Sequence, residues 1–271
     1  PHTNKLELIL ESFDVIELNS VVDGLVEQWQ NIVAPFYTNA PNSNVAYQSF
    51  GSGFTVLLAN EIFLITAHHV IDEANERMDR FGANGVISNI GGVGVDMSGL
   101  KFSGIKTEDV ASAHLTRDWA ESKNVTRVFP YNLNEDKSSL IRTGKFFVMG
   151  FPSSKNKLNE RLNKKDRHIF AYSFENKKSK SEYTEIEEHE AFVLDINDMV
   201  STEGEKRRPP NFDGVSGSPV FEILCDLSDP SKIHFGVDLV GVFTEWRQKQ
   251  NEIVCSHIKN AIACCIAHEV V

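Results

Sequence analysis

The sequence predicts an all-β protein of paired β-barrels with helices at its two ends. Two observations carry this expectation. From about residue 45 to residue 257, short apolar runs recur, each closed by a turn signal. Apolar residues at helical spacing mark residues 5–33 and 258–269, and few helices are expected between them. The length of 271 residues suits one large domain or two packed subdomains.

The elements follow in chain order. Leu6, Ile9, Leu10 and Phe13 form one helical stripe, and Val21, Val22, Leu25, Val26, Trp29 and Ile32 form a second. Asn19-Ser20 lies between them and is expected to cap the second helix. Residues 50–58 read as a strand, Asn60-Glu61 as a turn and residues 62–66 as the returning strand. Residues 81–104, rich in Gly, Val and Ile, read as short strands with tight turns. Further strands are expected at 146–152, 191–194, 218–224, 234–244 and 253–257, before a final apolar helix. The basic stretch 155–180 and the acidic run 182–190 read as solvated loop and hairpin edge, with a partner-recognition loop as the alternative. Lys206-Arg207-Arg208 reads as exposed loop.

Charge and cysteines narrow the function. The formal net charge of -11 argues against nucleic acid as the main partner. No apolar run approaches the length of a membrane span. Pro1-His2-Thr3-Asn4-Lys5 lacks the apolar core of a signal peptide. Cys225, Cys255, Cys264 and Cys265 cluster late in the chain, unlike a disulfide scaffold. They read as reduced, buried thiols in a cytoplasmic setting, with a Cys225–Cys255 bridge left open. No cysteine spacing suggests a zinc site, and no metal or organic cofactor is expected.

Three local frames carry chemistry. Thr66-Ala67-His68-His69-Val70 closes an apolar strand. Asp109-Val110-Ala111 follows, and then Gly214-Val215-Ser216-Gly217-Ser218-Pro219-Val220. A hydroxyl is a poor nucleophile at neutral pH. It needs a base within hydrogen-bond reach and a carboxylate to fix the tautomer of that base. Two glycines permit a tight turn that exposes the hydroxyl and turns backbone N–H groups toward a developing oxyanion. Alone, Ser216 would read as a turn residue, His69 as a packed residue and Asp109 as a turn cap. Their order and frames favour the joint reading. The nucleophile elbow Gly-x-Ser-x-Gly of α/β-hydrolases fits less well, because its fifth position is Ser218 here and strand rather than helix follows Ser216.

These segments resemble the trypsin/chymotrypsin-like serine protease family, over roughly residues 45–260. The resemblance implies two six-stranded barrels, with His69 as base, Asp109 as orienting acid and Ser216 as nucleophile. Asp96 and Asp118 are the alternative acids. Gly214 and Ser216 would supply the oxyanion-hole N–H groups. Thr244, Glu245 and Trp246 would line the substrate strand and pocket, Glu245 favouring a basic residue and Trp246 narrowing the pocket. Pro210 holds the slot of the trypsin specificity acid, so a trypsin-type preference is not implied. Val215 replaces the acid that pairs with a new N-terminus in trypsin, and activation by N-terminal insertion is not expected. The pattern looks closer to intracellular bacterial or viral members and to the high-temperature-requirement branch.

The expected organisation is a helical extension at 1–40, a first barrel at 41–145 carrying His and Asp, and a second at 146–271 carrying Ser. The expected function is a serine endopeptidase acting on a protein or peptide substrate, with a regulatory role toward one protein partner. A non-catalytic protein-binding module and an esterase are the alternatives. The choice between adjacent histidines is testable by substitution. His69→Ala should cost several orders of magnitude in activity, and His68→Ala far less, in the same peptide-cleavage assay. A dead His68→Ala variant would mean that the register is shifted by one.

Overall fold

The computed structural model describes residues 15–39, 47–81, 86–90, 93–135, 137–153, 157–159, 164–166, 170–176, 191–195, 211–226, 228 and 233–268. Helix α1 spans Val15–Trp29 and runs unbroken through Asn19-Ser20, where a cap was expected. Val22 and Leu25 are 4% and 6% exposed in the core, and burial of this face outweighs the modest preference of Asn and Ser for caps. The stripe expected from Leu6 to Phe13 lies outside the described residues.

Strands β1 (Val33–Asn39) and β2 (Tyr47–Leu58) come next. A turn with positive φ at Ala59 and Asn60, one residue earlier than expected, joins β2 to β3 (Glu61–Thr66). Helix α2, His68–Phe81, was not expected. After it come β4 (Val86–Ile90), β5 (Val93–Asp96), β6 (Phe102–Ile105) and β7 (Val110–Leu115). A short helix α3 (Arg117–Ser122) is capped by the Thr116 hydroxyl, which accepts from Trp119 N at 3.3 Å. The rest is strand until the last helix: β8 (Phe129–Tyr131), β9 (Ile141–Gly150), β10 (Lys157–Asn159), β11 (Lys164–Asp166) and β12 (Phe170–Asn176). Then follow β13 (Ala191–Asp195), β14 (Pro219–Asp226), β15 (His234–Arg247), β16 (Glu252–His257) and α4 (Ile258–Ile266).

The strands form two sheets, in keeping with the all-β, two-barrel expectation. The second is a closed six-stranded barrel in the order β12-β13-β16-β15-β14-β9. The first is a curled ten-stranded sheet with the main path β5-β4-β1-β2-β3-β7-β6. It draws on more of the chain than residues 41–145. β1 precedes residue 41, and β10 pairs with β2 from beyond residue 145. β9, begun at residue 141, belongs to the second barrel.

Apolar burial joins the two sheets. One cluster unites α1 (Val22, Leu25), β2 (Phe54, Val56), the second barrel (Phe147, Phe221) and α4 (Ile262, Cys265). A second cluster fills the first sheet and includes Val70, Ile71 and Ala74 of α2. A third, inside the second barrel, includes Val148, Val215 and Phe243. All four cysteines are free and buried, so Cys225 and Cys255 are not bridged.

Phe221 sits where the sheets meet, fully buried, its ring 5.3 Å from that of Phe129 and 5.2 Å from that of Phe147. Phe221→Ala should cost about 3–5 kcal/mol of stability, read by urea unfolding. A loss below about 1 kcal/mol would contradict this packing.

Candidate active site

His69 stands in the first turn of α2, where backbone N–H groups lack partners within the helix. Asp109, just before β7, supplies them from another part of the chain. Its backbone oxygen accepts from His68 N at 3.1 Å, and its Oδ1 accepts from His69 N at 2.9 Å. Its Oδ2 lies 2.7 Å from His69 Nδ1. Asp109 does this with φ at 51°, a left-handed conformation that Asp tolerates better than most residues. His68 instead faces Asp72 one helical turn along, at 3.3 Å. Of the alternative acids, Asp96 is exposed on β5 and Asp118 is exposed on α3.

Burial alone would lower the His69 pKa. The hydrogen bond that His69 donates to Asp109 and the Asp109 charge, with Glu73 and Asp72 adding, outweigh that and hold it above the ordinary 6.5. An Nδ1–H committed to Asp109 leaves Nε2 as the acceptor nitrogen.

Ser216 comes from the other sheet. Its loop, 211–218, precedes β14, and Ser216 is half-buried in a cleft of about 460 Å³ that His69 and Asp109 also line. Its hydroxyl donates to the Thr244 carbonyl at 3.3 Å. Among the described residues no hydrogen bond joins it to His69. Gly214 and Gly217 adopt φ of +85° and +87°. A Cβ at Gly217 would collide with the Ser52 carbonyl and the Thr66 hydroxyl.

The loop ties down some N–H groups and leaves others open. Val215 N donates to Phe212 O at 2.9 Å, Gly217 N to Phe243 O at 2.7 Å and Ser218 N to Val215 O at 3.0 Å. The N–H groups of Gly214 and Ser216 have no partner among the described residues. Val215 is fully buried in the core of the second barrel, so an apolar anchor occupies this slot.

The remaining expected site residues divide. Thr244, Glu245 and Trp246 line the cleft. Thr244 is buried and donates to Val254 O at 3.1 Å, while Glu245 is exposed and paired with Arg247 at 3.2 Å. Trp246 packs edge-on against Phe212, ring centroids 5.3 Å apart, and its buried indole N–H has no partner among the described residues. Pro210 lies outside the described residues. Phe212, Asp213 and Phe243 also line the cleft and were not singled out from the sequence. Their nearness to the glycine turn and to Thr244 is the signal that could have found them. Among the described residues no group of His, Cys, Asp and Glu could hold a metal ion, and no helix is long and apolar enough to cross a membrane.

No family model matches the chain, and no curated protein sequence matches it. Among solved structures it is similar to the tobacco vein mottling virus protease, at 10% identity. That match covers 85% of this chain and 78% of that one, with a TM-score of 0.45. It is also similar to a chain from work on how aromatic interactions drive coupled folding and binding of the intrinsically disordered Sesbania mosaic virus VPg protein. That match has 12% identity, covers 83% of this chain and 86% of that one, and has a TM-score of 0.42.

Folding raises the His69 pKa, so its pairing with Asp109 stabilises the fold fully below the unfolded value of 6.5. That contribution is lost as pH rises through the folded value. Any chemistry that needs neutral imidazole gains over the same interval. The His69 titration, followed by NMR, should have its midpoint above 6.5 and move down in Asp109→Asn. A wild-type midpoint at or below 6.5, or no movement in the variant, would contradict the pairing.

Proposed function

We propose that this chain is a serine endopeptidase of the trypsin/chymotrypsin-like family, with Ser216 as nucleophile, His69 as base and Asp109 as orienting acid. One observation carries the reading. The 2.7 Å His69–Asp109 pair lies in the cleft that Ser216 lines from the opposite sheet. The open N–H groups of Gly214 and Ser216 support it further, because a tetrahedral oxyanion needs such donors.

In this reading the Ser216 hydroxyl turns from the Thr244 carbonyl to His69 Nε2, which takes its proton as Oγ attacks the substrate carbonyl. Asp109 stabilises the resulting imidazolium. His69 then passes the proton to the leaving amine, and an acyl-enzyme remains on Ser216. Water, deprotonated by the same histidine, releases it. The substrate is a polypeptide that pairs as an added strand beside Thr244–Trp246 of β15. A protein substrate with a regulatory role, and kinship with intracellular bacterial members, rest on the sequence pattern. Four free, buried thiols suit a reducing, cytoplasmic compartment.

The test is covalent. A fluorophosphonate should label wild type on Ser216, and Ser216→Ala should fold normally and lose the label. Equal labelling of both would sink the assignment. Cleavage of a peptide library by wild type but not by Ser216→Ala separates a peptidase from an esterase and from a non-catalytic binding module.

A further inference from the structure

We propose that Ser52 is a positioning residue for this reaction. Its hydroxyl, carried on the first sheet, holds the nucleophile loop of the second barrel in the form that leaves the Gly214 and Ser216 N–H groups open. The inference rests on the endopeptidase reading above.

A trans peptide points its C=O and N–H in opposite directions. A bond that fixes a carbonyl therefore fixes the N–H of the same unit. Asp213 O accepts from Ser153 N at 2.7 Å, which sets the peptide that carries the Gly214 N–H. Val215 O accepts from Ser218 N at 3.0 Å, which sets the one that carries the Ser216 N–H. The peptide between them is held at its oxygen by a side chain, as the Ser52 hydroxyl donates to Gly214 O at 2.8 Å.

Ser52 is fully buried and uses each of its polar groups on this junction. Its N–H donates to Ser216 O at 2.8 Å, its carbonyl accepts from the Thr66 hydroxyl at 2.7 Å, and its hydroxyl also accepts from Phe151 N at 3.3 Å. The backbone contacts survive any substitution other than proline. The hydroxyl bond does not. Gly214, at φ +85°, is one of two glycines in this loop and has a wider choice of backbone conformation than its neighbours Asp213 and Val215. It is buried, so its carbonyl would be left without water or partner if the hydroxyl were removed. Rotation of the Gly214–Val215 peptide, opposed then by the single bond from Val215 N to Phe212 O, relieves that cost and disturbs the open N–H groups on either side. With Val215 in place of a charged anchor, the hydroxyl supplies polar order that no ion pair at that position provides.

The test compares Ser52→Ala and Ser52→Cys, which keeps a weaker donor, with wild type. Inactivation by a fluorophosphonate should slow roughly 10–100-fold in Ser52→Ala, with Ser52→Cys between it and wild type. In peptide cleavage the loss should fall on kcat rather than KM. The pH midpoint should stay unchanged, because the His69–Asp109 pair is untouched. Amide hydrogen exchange at 212–218 should rise while β14 and β15 stay protected. Wild-type labelling rates together with unchanged exchange would overturn the proposal. A shifted pH midpoint would also overturn it, as would a loss that vanishes once the variants are assayed well below their melting temperatures. If wild type itself is not labelled on Ser216, the endopeptidase reading fails, and the exchange comparison alone decides whether Ser52 holds the loop. If Ser52→Ala does not fold, Ser52→Cys carries the same comparisons.

Discussion

The arrangement depends on one buried junction, where Ser52 of β2 meets residues 213–218 of the facing barrel. The Ser52 N–H and hydroxyl reach Ser216 and Gly214 across it, and the Ser49 hydroxyl adds a 3.3 Å bond to Phe151 O nearby. Close approach is the precondition. A Cβ at Gly51 would collide with the Val70 side chain, and one at Gly53 would sit 2.7 Å from Ile65 O. The two small residues let β2 pack tightly against β3 and α2. In the same way the absent side chain at Gly217 lets the opposing loop come up to Ser52 and Thr66. Apolar burial between the sheets supplies the driving force, and these hydrogen bonds supply the register.

A second constraint is local to the first sheet. Asp109 satisfies the start of α2 and orients His69 with one carboxylate, one oxygen for each task. Helix geometry and histidine tautomer are thus set by the same group. Its left-handed backbone is stabilised by these contacts and by the turn that closes with Asp109 N donating to Lys106 O at 3.2 Å.

Much of the second barrel was legible in the sequence, because its strands are apolar runs bounded by turn residues. Residues 219–226 and 252–257 read almost as they fold, and so does α4. The first sheet was harder. β1 contains Pro35, which argues against a strand, yet Phe36–Thr38 pairs with β2 on one side and β4 on the other. Helix α2 was missed because His68-His69-Val70 reads as the end of a strand. Its face shows only in Val70, Ile71 and Ala74, with a Glu73–Arg77 pair one turn apart. In the candidate site, the meeting of His69, Asp109 and Ser216 in one cleft was legible from the order of their three local frames. Ser52 and Ser153 were not, since bonds made by or to the backbone leave no trace in residue type. The two glycines around Ser52 were the available hint.

The buried cysteines have a consequence for chemical reactivity. Burial pushes the Cys264 thiol up to about 11 and the Cys265 thiol up to about 12, and it raises Cys225 and Cys255 as well. At neutral pH the thiolate fraction of the first two is on the order of one in ten thousand or less. Sulfur is ordinarily the softest and fastest nucleophile a protein offers. Here it is withdrawn from competition, by protonation and by lack of access. An electrophile captured by the native molecule at neutral pH is therefore not held on these thiols.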